Sequence, residues 1–81
     1  MNGRVVWRLD CATQAGQTTY LVVESGGVEP YGLAILSPGG LAVQEHLAAS
    51  AASAQGWCHR LAEASVHPCH LQELMEDWLC E

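Results

Sequence analysis

The residues of this 81-residue chain best suited to chemistry are cysteines and histidines in its second half. Cys58, His67, Cys69 and His70 supply two thiols and two imidazoles, a ligand set that suits Zn²⁺. Their spacing is unfavourable, because the set contains neither Cys-x-x-Cys nor His-x-x-x-His. Adjacent residues such as Cys69 and His70 also point about 100° apart on a helix. We therefore predict no metal site and keep these four residues as the alternative.

Thiol catalysis is the other chemistry to consider. Cys69 falls in the first turn of a predicted helix, where the helix dipole lowers a thiol pKa, and His67 and His70 flank it. A nucleophile also needs a base and an oxyanion hole in fixed geometry, which sequence neighbours rarely provide. His70 has a simpler interpretation as the third helical residue, reaching back to the backbone of an N-cap at His67. The sequence thus predicts no catalytic residue, no cofactor-binding residue and no enzyme.

The segment after His67 has the pattern of an amphipathic helix. Pro68 suits the first helical position, where its missing N–H would be unpaired anyway. Apolar residues then recur at i, i+3, i+4, i+7 and i+8, which places them on one face. They are Leu71, Leu74, Met75, Trp78 and Leu79. Glu73, Glu76 and Asp77 fall on the opposite face and are expected to be solvated.

An alanine-rich stretch from Ala48 to Ala64 predicts the preceding helix, since alanine has the highest helix propensity. Ser50 or Ser53 could be its N-cap, and Ser50 would allow the longer helix. Its apolar face contains Ala54, Trp57, Cys58 and Leu61. The short link from Ala64 to Val66 would make the two helices antiparallel neighbours.

The first half is typical of short strands separated by glycine and proline turns. The predicted strands are Arg4 to Leu9, Thr18 to Glu24, Tyr31 to Leu36 and a weaker one from Leu41 to His46. The polar stretch from Asp10 to Gln17 is predicted to be a turn or hairpin loop. Gly32, inside the third strand, indicates a bulge or a close approach of another group to the backbone.

Strands followed by helices predict an α+β class. We expect one domain over residues 1–81, with an antiparallel meander of three to four strands in 1–46. A two-helix hairpin in 48–80 should pack on one sheet face. Alternation in the first strand would put Val5, Trp7 and Leu9 together. Val6, Tyr20, Val22 and Leu36 could then occupy the other face, whose apolar character makes it a candidate for self-association.

Charge and composition exclude several function classes. The net charge is −6, and Arg4, Arg8 and Arg60 are the only Lys or Arg residues. Nucleic acid and anionic membrane surfaces both require clustered cations, so neither is an expected partner. The longest apolar runs are too short for a membrane span or a signal peptide. We therefore expect a cytoplasmic protein with free thiols that forms a homo-oligomer or binds an unknown protein partner.

The second half resembles a family of small uncharacterised proteins from clostridia-like Gram-positive bacteria. The resemblance begins at Tyr31-Gly32-Leu33, includes Cys58, and is most specific from Val66-His67-Pro68-Cys69-His70-Leu71 to Leu74-Met75-Glu76-Asp77-Trp78-Leu79. It departs from the family at His67, where a serine-like N-cap is usual, and at alanines that replace charged helix residues. The resemblance implies a fold and a class of unknown function, and it transfers no activity, cofactor or catalytic residue.

Overall fold

The computed structural model describes residues 3–13, 16–64 and 68–79, except for the side chains of Thr13, Trp78 and Leu79. Four antiparallel strands form one sheet in the order β1-β2-β3-β4. The strands are β1 (Arg4–Thr13), β2 (Gly16–Glu24), β3 (Tyr31–Ser37) and β4 (Gly40–Ala48). Helix α1 (Ala51–Glu63) follows, then a 3-10 turn (Pro68–His70) that leads into α2 (Leu71–Leu79). The α+β class and the antiparallel meander are as predicted.

One face of the sheet is covered by both helices. Helix α1 has its most extensive contact with β2, and α2 packs beside β4. The core between the layers combines residues of β2 and β3 with residues of both helices. Its fully buried members include Tyr20, Val22, Leu33, Ile35, Ala54, Cys58, Leu61, Leu71 and Met75.

Helix α1 begins where its serine can satisfy the first backbone donors. Ser50 is the N-cap, and its Oγ accepts a hydrogen bond from the Ser53 backbone N–H at 3.2 Å. Ala54, Cys58 and Leu61 then face the sheet at helical spacing, with Trp57 packed at the side. The proposed cap of the second helix at His67, the link at 65–66 and the side chains of Trp78 and Leu79 lie outside the described residues.

The predicted turn from Asp10 to Gln17 is wrong, because both strands continue through most of it. Asp10 pairs with Thr19 and Ala12 with Gln17 in the β1–β2 ladder. The Thr19 hydroxyl donates to the Asp10 carboxylate at 2.6 Å. Polar residues here occupy a solvated sheet face, where strand pairing and polar composition are compatible.

Two predictions about sheet faces are also wrong. A register shift between Val5 and Trp7 makes Val6 an extra residue, so Val5 lies on the opposite face from Trp7 and Leu9. Tyr20 and Val22 lie in the core rather than on the other face. Both alternating sets of β2 are apolar at their centre, so the sequence pattern did not distinguish them. The larger Tyr20 side chain fills the helix-covered side.

Gly32 was predicted to mark a bulge or a close approach of another group to the backbone, and the structure shows both. The β3–β4 register shifts between Tyr31 and Leu33. A Cβ at Gly32 would clash with the Gln44 carbonyl oxygen and lie 2.7 Å from the Glu45 Cα. Beside it, His46 adopts a φ of 59°, and its ring Nδ1 lies 3.2 Å from the Glu29 carbonyl oxygen, which accepts its hydrogen. This irregular end of β4 fixes the loop between β2 and β3.

Candidate interaction surface

The predicted cysteine and histidine set is divided between the core and the surface. Cys58 is fully buried, and its thiol lies 3.7 Å from the Leu21 carbonyl oxygen. Cys69 and His70 are exposed at the 3-10 turn. His70 Nδ1 lies 3.8 Å from the Glu73 carboxylate. His67 lies outside the described residues, and among those described no three metal-binding side chains form a group.

Burial determines the chemistry of Cys58. Removal from water penalises the thiolate and raises the pKa of Cys58 to about 12. The thiolate is the form that attacks electrophiles and binds metal ions, so a protonated thiol is suited to neither role. Next to it on α1, His59 is exposed and contacts Trp7 edge-on, with ring centroids 5.5 Å apart. These residues pack the layers together.

The sheet face opposite the helices has a different character. We call it the outer face. Because side chains alternate along a strand, the residues that point away from the core are the neighbours of the core residues Tyr20, Val22, Leu33 and Ile35. It is composed of Val5, Arg8, Asp10, Thr19, Leu21, Val23, Ala34, Leu36, Leu41 and Val43. No helix in the described part of the chain packs against it.

Three large apolar side chains on the outer face are open to solvent, whereas its Val23 and Ala34 are almost fully buried at 2% exposure each. Leu41 is 60% exposed, Val5 54% and Leu36 49%. Leu36 and Leu41 are directly paired across β3 and β4, and Leu21 and Val43 flank them at half burial. Such a contiguous apolar area on a sheet typically marks an interaction site.

One ion pair borders the apolar area on β1. The Arg8 guanidinium donates to both Asp10 carboxylate oxygens, with Nη2 at 2.9 Å from each. The Arg8 and Thr19 hydrogen bonds hold the pKa of Asp10 below its usual value, and Asp10 raises the pKa of Arg8. Both groups are therefore charged over the physiological range, and they remain accessible at 64% and 43% exposure.

The sequence predicts an apolar face opposite the helices, but its pattern identifies few of the residues that form it. Leu36 was assigned correctly, whereas Val5, Leu21, Leu41 and Val43 were not singled out for this role. The i, i+2 spacing of Arg8 and Asp10 was the available signal, since it puts both on one face of a strand. The predicted turn at Asp10 obscured it.

Comparisons with protein-family models, with curated proteins and with solved structures found no match to the chain. No helix in the described part of the chain is both long and apolar enough to span a bilayer.

Proposed function

We propose that this chain is a non-catalytic protein–protein interaction module that uses the outer face of its sheet to form a homodimer. The observation that carries the proposal is the exposure of Leu36 and Leu41, which pair with each other on the apolar β3–β4 side of the outer face. Burying such area is favourable by roughly 25 cal/mol per Å². An antiparallel sheet with one covered face normally has mostly polar residues on the other. Here the polar residues Arg8, Asp10 and Thr19 lie on β1 and β2, and the part of the outer face on β3 and β4 is apolar.

The same proposal places the module in the cytoplasm and in the clostridial family that its second half resembles. Two described cysteines, Cys11 and Cys58, are free thiols, the form that a reducing compartment maintains. The raised pKa of Cys58 favours a binding role over the thiol- or metal-dependent alternative. The family resemblance adds no activity to the proposal.

Sedimentation equilibrium at micromolar concentration, with reductant present, tests the dimer. The parent chain should sediment at about twice its monomer mass, and Leu41→Glu should sediment as a monomer because a carboxylate at the interface would be buried unpaired. Val28→Glu is the matched control, since Val28 is 92% exposed and lies in the loop between β2 and β3 rather than on a strand of the outer face. It should remain dimeric. A parent chain that stays monomeric to millimolar concentration would refute the proposal.

A further inference from the structure

We infer that the two copies pack outer face to outer face about a two-fold axis perpendicular to the strands, with Arg8 of each copy facing the partner's Asp10. This arrangement rests on the proposed homodimer and specifies its geometry. It follows from the order of residues across the sheet, which makes the outer face complementary to itself in one orientation.

Two neighbouring rows cross the outer face. The Arg8 row runs through paired residues of all four strands: Arg8, Leu21, Ala34 and Val43. The Asp10 row runs parallel to it two residues along each strand: Asp10, Thr19, Leu36 and Leu41. Each row thus has one charged end on β1 and an apolar end on β3 and β4.

A two-fold axis between these rows exchanges them. The axis would pass at the level of Leu9, Tyr20, Ile35 and Ala42, which form a paired row facing the core. Rotation then places the Arg8 row of one copy over the Asp10 row of the other. Leu36 meets the small Ala34, and Leu41 meets Val43. An isologous interface requires this kind of self-complementarity.

A face-to-face dimer could also form about a two-fold axis parallel to the strands, but the charges on β1 favour the perpendicular axis. An axis parallel to the strands would place β1 of one copy over β4 of the other. Arg8 and Asp10 would then be buried against the partner's Val43 and Leu41, and their desolvation would be uncompensated. The perpendicular axis instead brings two Arg8–Asp10 pairs together with opposite charges facing, which fixes orientation.

The free chain already holds these groups in place. The Thr19 hydroxyl donates to Asp10 at 2.6 Å, so the carboxylate is oriented before association. The exposed Arg8 guanidinium has donors left for a second carboxylate. Its long side chain can also accommodate the rotation of about 30° that sheet twist introduces between packed sheets.

The rest of the charge distribution favours the same contact. The chain carries nine acidic and three basic residues, so two copies repel each other at most surfaces. Glu63, Glu73, Glu76 and Asp77 lie on the helices, on the far side of the sheet. On the outer face the charge of Asp10 is balanced by Arg8. Contact through this face therefore keeps the acidic helices furthest apart.

The size of the face sets the expected strength. Four strands spaced about 4.8 Å apart and about nine residues long present roughly 500 Å² per copy. A dimer would bury about 1,000 Å² in total, at the low end of specific interfaces. We therefore expect micromolar rather than nanomolar association.

Mixing two charge-reversal variants tests the arrangement. Arg8→Asp alone and Asp10→Arg alone each bring like charges together, so each should dimerise at least about tenfold more weakly than the parent chain. An equimolar mixture should form heterodimers with affinity close to the parent's, because every facing pair is then opposite in charge. Native mass spectrometry distinguishes the heterodimer by mass, and sedimentation equilibrium gives its affinity. Recovery of affinity on mixing cannot come from an ion pair within one chain, because each variant chain carries only one of the two charge reversals.

Arg4→Asp and Glu24→Arg form the matched control. They change the net charge by the same amounts and break a similar ion pair, with Arg4 Nη2 2.9 Å from Glu24. That pair is in register with Tyr31, which packs on the core side. Both control variants should dimerise like the parent. If the parent dimerises but the Arg8 and Asp10 variants do not recover on mixing, or the controls behave like them, the two-fold arrangement is refuted while the dimer stands. A monomeric parent would refute the proposed function itself.

Discussion

Cys58 shows how the position of a single side chain decides between chemistry and packing. From the sequence it was one of four potential metal ligands, and on α1 it faces the sheet at the centre of the core. The same thiol would be a reactive group at an exposed position such as that of Cys69. Its burial beside a backbone carbonyl makes it a small apolar core residue with a weak donor.

The raised pKa of Cys58 predicts a loss of stability in alkali. The folded state keeps the thiol protonated to about pH 12, whereas the unfolded state releases this proton from its ordinary pKa of 9.0 upward. Above pH 9 the unfolded chain therefore binds fewer protons, and the free energy of unfolding falls as pH rises. The loss should be about 1.4 kcal/mol at pH 10 and is absent below pH 8.

Urea unfolding at pH 7, 9 and 10 measures this loss. Cys58→Ala should start from a lower stability because of the cavity it leaves, and should decline less between pH 9 and 10. Burial also raises the pKa of Tyr20, so part of the alkaline decline should remain in the variant. An identical decline in the parent and the variant would show that Cys58 is not the titrating group.

At the level of elements, Gly32 and Gly56 have opposite roles. Gly32 lies where β4 crosses β3 closely, and a Cβ there meets backbone atoms of Gln44 and Glu45 that cannot move without breaking the bulge. Gly32→Ala should therefore destabilise the protein by more than about 2 kcal/mol. Gly56 lies in α1 with open space around its Cβ position. Gly56→Ala should stabilise the protein by about 1 kcal/mol, since alanine is the better helix former.

Denaturant midpoints of the two variants check this contrast. Each substitution adds one methyl group, so the pair controls for the chemistry of the change. If Gly32→Ala were neutral, the bulge between Tyr31 and Leu33 would not depend on the close approach. If Gly56→Ala were destabilising, the open surface assigned to that side of α1 would be wrong.

The elements also show which features a single sequence can reveal. Helix α1 and its cap at Ser50, the four strands and the bulge at Gly32 follow from local chemistry. The bulge at Val6 does not, because the alternation of Arg4 to Leu9 looks regular and the extra residue appears only when β2 supplies its partners. The left-handed backbone of His46 likewise depends on the distant Glu29 carbonyl.

The candidate site was harder to derive because it consists of one sheet face. Assigning a residue to a face requires the register, and a shift of one residue reverses every assignment. Tyr20 and Leu21 are both apolar, so β2 could have presented either set to the helices. Only the three-dimensional packing of α1 against Tyr20 and Ile35 settles which set remains outside. The sequence therefore predicts that the second sheet face is apolar, but it does not identify most of the residues on that face.

At the scale of the whole molecule, the homodimer should appear in thermal stability. Below about 100 residues a single core gives a modest margin, and a dimer that forms only from folded chains adds to it by mass action. The melting temperature should therefore rise with protein concentration, by about 4 °C for each tenfold increase above the dissociation constant. Differential scanning calorimetry with reductant present measures this rise. Val28→Glu should keep it, and Leu41→Glu should melt at one temperature throughout, because the charge on the outer face removes the association and leaves the core intact. If the melting temperature of the parent chain did not depend on concentration, association would contribute nothing to its stability. The exposed Leu36 and Leu41 would then lack the partner that we propose for them.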